Sequence, residues 1–142
     1  MYLPYRAYKA LADAFINNCK TNHLKGVCSG GNIFLGDCVA LSESDIAQYP
    51  PIVFSFQGGI SLPLPPQYYL VRGYCTDLSY YALAIGPEPV YDGTILGDTF
   101  MQAYECVFDR AVRFYFPLFF IYTHFHLQNS RMGFAPVANC PV

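Results

Sequence analysis

The chain of 142 residues is 54% hydrophobic and 18% aromatic but only 13% charged, against roughly 25% charged in an average soluble domain. That much apolar surface excludes a disordered chain. A balance of 8 basic to 10 acidic residues, net −2 with no basic run, argues against nucleic acid as a partner. Eleven Gly and eleven Pro exclude a coiled coil, and the length suits one domain.

In chain order, Tyr5 to Asn17 places Tyr8, Leu11, Ala12, Phe15 and Ile16 at helical spacing behind Pro4, and predicts a helix with that proline at its first position. Residues 18–50 read as irregular, with a short turn or 3₁₀ segment over Ser42–Ala47. Pro51 to Gln57 predicts a strand, Gly58-Gly59 a two-residue hairpin turn, and Ile60 to Leu64 the return strand. Pro65-Pro66 ends it, Tyr68 to Val71 starts another strand, and Tyr74 to Ile85 gives one or two more, broken near Asp77. Gly86 to Pro89 reads as a loop, Tyr104 to Asp109 as a strand, and Met132 to Ala135 as the last strand. The fold class is mainly β, antiparallel, with one or two short helices.

The start, Met1-Tyr2-Leu3-Pro4-Tyr5-Arg6, has no cationic stretch followed by an apolar core, so no signal peptide is read there. Six cysteines (Cys19, Cys28, Cys38, Cys75, Cys106, Cys140) at wide spacing read as a disulfide framework of the secretory pathway. An N-terminus further upstream reconciles the two readings. Zinc needs close pairs such as C-x2-C, which this spacing lacks, so no metal is expected.

The C-terminal third joins these pieces. Ile95-Leu96-Gly97-Asp98-Thr99-Phe100-Met101-Gln102-Ala103-Tyr104, then Val107-Phe108-Asp109-Arg110-Ala111, then Asn129-Ser130-Arg131-Met132-Gly133-Phe134-Ala135-Pro136, read ILGDTFMQAY…VFDRA…NSRMGFAP. This resembles the carboxy-terminal lobe of pepsin-like aspartic endopeptidases (peptidase family A1). Tyr2-Leu3-Pro4 and the helix resemble the segment after that family's second D-[ST]-G-T, and Pro50 to Phe54 with Leu62 to Leu70 resemble the lobe's central hairpin.

The resemblance implies two β lobes, each with one catalytic aspartate. The two carboxylates share a proton, one activating a water and the other polarising the peptide carbonyl, without metal or organic cofactor. It implies peptide or protein substrates and an N-terminal lobe as partner. It assigns Thr94 and Ile95 to primed substrate subsites, with core packing as the alternative for Ile95. It makes Leu96, Gly97 and Asp98 a structural motif: Gly97 for close backbone approach, Asp98 as a buried hydrogen-bonding carboxylate. Cys38 and Cys75 match the bridge that ties the central hairpin. Cys19 and Cys28 are left to pair locally, and Cys106 to be buried in its strand.

The sequence contains no D-T-G or D-S-G triplet. Asp92-Gly93-Thr94 has the wrong order, and Asp98-Thr99 is followed by Phe100. The second catalytic aspartate is expected just upstream of Met1, and the first lobe is absent. A one-lobe homodimer also needs a D-[ST]-G per chain and is rejected. The chain is therefore read as a single truncated lobe over 1–142, from a secreted, vacuolar or membrane-anchored parent, and inactive alone. A non-catalytic pepsin-fold binding or inhibitor protein is the alternative, and a structural or membrane-associated protein a third class.

The family has only a tight turn where this chain has the 17 residues VRFYFPLFFIYTHFHLQ, 112–128. A membrane-spanning helix needs about 20 apolar residues, and Pro117, His124 and His126 interrupt this shorter run. A membrane-touching or partner-binding loop is one reading. The preferred one is a retained intron in frame: a Val codon begins GT, a Gln codon can end AG, and the Phe, Leu, Pro, Tyr and His codons between are pyrimidine-rich. His124 and His126 lack further ligands nearby and are not read as a metal site.

Overall fold

A computed structural model describes residues 1–90, 93–109 and 131–137. The chain divides into two units, Met1–Ala103 and Tyr104–Val142.

The first unit opens with strand β1 (Tyr2–Leu3) and helix α1 (Tyr5–Asn18). The helix begins at Tyr5, as the spacing predicts, but Pro4 takes the cap position rather than the first helical one, with ψ 140. No side chain caps it, and its Lys9–Asp13 pair at 2.7 Å is solvent-exposed and screened, so it does little to hold the helix. A helix this short is marginal alone. It is held by Phe15, which meets the rings of Phe34, Tyr49 and Tyr69 at 5.4, 6.2 and 6.4 Å. The Tyr8 hydroxyl also donates to the Phe34 carbonyl at 2.8 Å.

The stretch after α1 carries more order than its glycines suggest. A 3₁₀ turn (Ile33–Leu35) leads to β2 (Val39–Ala40). Helix α2 (Glu43–Ile46) follows as one turn with a complete capping box: the Asp45 N–H donates to Ser42 Oγ, and the Ser42 N–H donates to Asp45 Oδ2.

Strands β3 (Ile52–Ser55) and β4 (Ser61–Leu64) form the expected hairpin in the register Ile52↔Leu64 to Ser55↔Ser61. Its loop is three residues rather than two, because the Phe56 N–H still donates to the Ile60 carbonyl at 2.8 Å. Gln57, Gly58 and Gly59 turn the chain, with φ of 94° and 82° at the two glycines. The predicted strand Tyr68–Val71 is half helix. Pro66–Tyr69 is the helical turn α3, and only Leu70–Val71 is β5. The Tyr69 ring is fully buried, and its hydroxyl donates to the Pro50 carbonyl at 2.6 Å. Of the predicted Tyr74–Ile85 stretch only Tyr80–Leu83 is a strand, β6, central in the antiparallel order β2-β6-β5.

Gly86–Pro87, read as loop, is strand β7, and it pairs in parallel with β1. Helix α4 (Gly97–Met101) was not foreseen. Its Phe100 has no exposed surface and meets Phe54 and Phe56 edge-to-face at 5.5 and 6.4 Å.

The second unit holds the hairpin of β8 (Tyr104–Asp109) and β9 (Arg131–Pro136), paired from Tyr104↔Pro136 to Asp109↔Arg131. The segment 112–128, with His124 and His126, and Cys140 lie outside the described residues. Among the described residues no helix is long and apolar enough to cross a membrane.

Candidate functional site

Tyr2 and Ile95 are far apart in sequence yet exchange two backbone hydrogen bonds, each 2.8 Å. On its other side, β1 is held by β7: the Gly86 N–H donates to the Met1 carbonyl at 3.1 Å and the Glu88 N–H to the Leu3 carbonyl at 2.7 Å. This short strand is therefore clamped from both edges. An extended dipeptide cannot hold itself straight, so its two neighbours set its direction. Leu3 turns into the core, while Tyr2 stays half exposed.

Beyond Ile95 the chain turns at once into α4. Gly97 has φ +58, a left-handed conformation that an L side chain adopts only with strain, and it opens the helix there. A methyl built on Gly97 would meet nothing within 4 Å. The glycine is thus required by the turn itself and not by a close backbone approach, which corrects the expectation. Asp98 follows in the first turn of α4 with its side chain at the surface, so it is not the buried carboxylate anticipated. Next to it, Thr99 is buried and its hydroxyl donates to the Ala84 carbonyl at 3.4 Å. Thr99 is the polar group that ties this turn to the sheet, and the sequence reading passed over it. A β-branched hydroxyl directly before a buried aromatic was the available signal.

Thr94 is exposed and Ile95 keeps half of its surface exposed. Packing does not use up the Ile95 side chain, and its backbone fixes the level at which it projects. Leu96 is partly buried. Gly93 and Thr94 of the Asp-Gly-Thr triplet are exposed, while Asp92 lies outside the described residues.

Cys38 and Cys75 are joined, with Cα atoms 6.0 Å apart, next to the β2–β6 pair Val39↔Tyr81. Cys19 and Cys28 form a second bridge, and Cys106 is a partly buried free thiol. Around the second bridge, Tyr49 donates its hydroxyl to the Lys25 carbonyl, and burial pushes its phenol up to about 12. Burial raises the Tyr69 phenol as well. No group of three His, Cys, Asp or Glu side chains suited to a metal ion comes together among the described residues.

Comparison with known proteins gives the family. The family model of eukaryotic aspartyl proteases matches residues 1–114. The chain belongs to the eukaryotic aspartyl protease family. Pepsin A of Suncus murinus is 32% identical over 124 residues, which is 86% of this chain and 26% of the relative. Gastricsin of Callithrix jacchus is 32% identical over 107 residues, 69% of this chain and 21% of the relative. Pregnancy-associated glycoprotein 1 of Ovis aries is 40% identical over 75 residues, 50% of this chain and 18% of the relative. The chain thus spans only about a fifth to a quarter of the length of these relatives. No solved structure matches. The antiparallel sheets with few short helices are those of a pepsin-like lobe.

Proposed function

We propose that this chain is the C-terminal lobe of a pepsin-like aspartic endopeptidase, and that it is inactive alone. The observation that carries the reading is the clamp on β1. The two segments that resemble the flanks of the family's second catalytic loop, Tyr2-Leu3-Pro4 and Ile95-Leu96-Gly97-Asp98, meet through two backbone hydrogen bonds. In the parent, two aspartates on D-[ST]-G loops share one proton. One takes a proton from the attacking water, and the other donates to the scissile carbonyl. In this reading the chain contributes the support for one such loop, and Thr94 and Ile95, both exposed, are its peptide-contacting side chains. It holds no D-[ST]-G triplet, so neither general base nor general acid is present in it. The two disulfides support a secretory-pathway parent.

Residues 112–128 are proposed to be an insertion from a retained intron. The last rung of the β8–β9 ladder is Asp109↔Arg131. Without the segment, only Arg110, Ala111, Asn129 and Ser130 would connect the strands, a loop within the usual range of about 2–5 residues. The family match also ends at residue 114, inside the segment. A cDNA across this region tests the insertion, and a transcript that always keeps these codons overturns it.

The missing triplet also fits a non-catalytic binding or inhibitor protein of the same fold. The reading frame immediately 5′ of the Met1 codon separates the two. An in-frame D-[ST]-G there is expected for the enzyme, and a frame without it assigns the binder.

A further inference from the structure

The two disulfides differ in what surrounds their sulfurs. At Cys19–Cys28, the Leu24 N–H donates to Cys28 Sγ at 3.2 Å. Cys19 Sγ lies 3.7 Å from the Phe15 carbonyl oxygen, and Cys28 Sγ lies 3.6 Å from that of Asn22. A disulfide sulfur carries no proton, so the bridge donates to neither carbonyl. That of Asn22 already accepts from the Leu24 N–H at 3.1 Å, which that N–H shares with Cys28 Sγ, and its remaining lone pair and the Phe15 carbonyl lie within reach of the S–H groups of a reduced pair. Among the described residues no such contact is present at Cys38 or Cys75.

We propose that Cys19–Cys28 is an exchangeable bridge, a redox latch at the end of α1, whereas Cys38–Cys75 is permanent. The co-reactant is a dithiol. Its thiolate attacks Cys19 Sγ, the S–S bond breaks, and the electron pair leaves on Cys28 as a thiolate stabilised by the Leu24 N–H. The reductant's second sulfur then displaces Cys19 from the mixed disulfide. The reductant departs as its cyclic disulfide, and its two protons end on Cys19 and Cys28. The two new S–H groups donate to Phe15 and Asn22. A dithiol form stabilised in this way makes a bridge easier to reduce. Access alone would favour Cys38, which is exposed where Cys19 and Cys28 are half-buried. The ordering therefore tests the local chemistry against simple accessibility.

The fold tolerates the open latch. Leu24 is 1% exposed, and the Tyr49 hydroxyl holds the Lys25 carbonyl, so the loop stays anchored without its covalent tie. Sequence separations of 9 and 37 matter here too. By the three-halves power of loop length, losing the longer bridge raises the unfolded fraction roughly eightfold more than losing the shorter one. What the latch controls is local. Asn17, Asn18 and Thr21 face Pro51 and Ile52 across an open groove of about 520 Å³, and opening Cys19–Cys28 frees that wall.

The test is to equilibrate the intact chain with graded ratios of reduced to oxidised dithiothreitol, quench by alkylation, and map each cysteine by mass spectrometry. Cys19 and Cys28 are expected to open at a ratio at least tenfold milder than Cys38 and Cys75, with the far-UV circular dichroism unchanged. Opening of Cys38–Cys75 at the same or a milder ratio overturns the proposal, as does unfolding when Cys19–Cys28 opens. Trapping with glutathione locates the attack. The mixed disulfide is expected on Cys19, and one found on Cys28 contradicts the role given to the Leu24 N–H.

Discussion

Gly97 and Asp98 are neighbours with opposite burdens. Gly97 sits at φ +58 with empty space around it, so substitution strains the backbone and clashes with nothing. Gly97→Ala is expected to lower stability by about 1 kcal/mol, and thermal unfolding should show a drop of a few degrees. Asp98 is exposed, and Asp98→Asn should stay within about 0.5 kcal/mol. Tyr49 gives a pH dependence. Its phenol is raised from 10.0 to about 12, by burial first and then by nearby Asp45. The folded chain therefore holds this proton to higher pH than the unfolded chain. The stability it contributes is full below pH 10 and is lost as the pH rises towards 12. Urea midpoints should fall over that window, and in Tyr49→Phe this part of the fall should be missing. Such roles were half legible in the sequence. That residue 97 is glycine was readable, but whether it serves a turn or a close approach depends on what surrounds it, and composition does not carry that.

The elements that were legible are those whose own pattern decides them. Helix α1 follows from apolar spacing, strands β3 (IVFS) and β8 (YECVFD) from β-branched and aromatic residues, and β4 from the Gly58-Gly59 turn that returns the chain onto β3. The elements missed are set by distant partners. Gly86–Pro87 is a strand only because β1 lies beside it, and α4 has no side-chain cap and is fixed by burying Phe100. Phe100→Ala should accordingly cost about 3–5 kcal/mol, a loss that denaturant titration would register as a large shift in midpoint. By contrast α2 carries a local signal, the capping box of Ser42 and Asp45. Ser42→Ala is expected to cost about 1 kcal/mol, and native-state hydrogen exchange should show it as faster exchange confined to Glu43–Ala47. Pro66, at the first position of α3, is likewise a helix-start signal that the sequence carries.

At the scale of the molecule, the family was legible because its motifs are spread along the chain; the family match covers residues 1–114, which include all of them but Asn129–Pro136. Function was legible only in part: the family's motifs can be read in the sequence, but it holds no D-[ST]-G triplet. The apolar, charge-poor composition fits a lobe that covers its partner's face. The segment 112–128, proposed to be an insertion, holds 7 of the chain's aromatic residues. Deleting 112–128 is expected to leave the β8–β9 pairing intact and to raise the soluble yield. Chemical shifts of Tyr104–Val107 that change throughout on deletion would count against that. We propose a chain that carries the fold of an aspartic protease lobe without its chemistry. Hydrolysis of a fluorogenic peptide by the purified chain at acid pH, with and without pepstatin, tests this most directly. No turnover above buffer is predicted, and pepstatin-sensitive turnover would contradict the account.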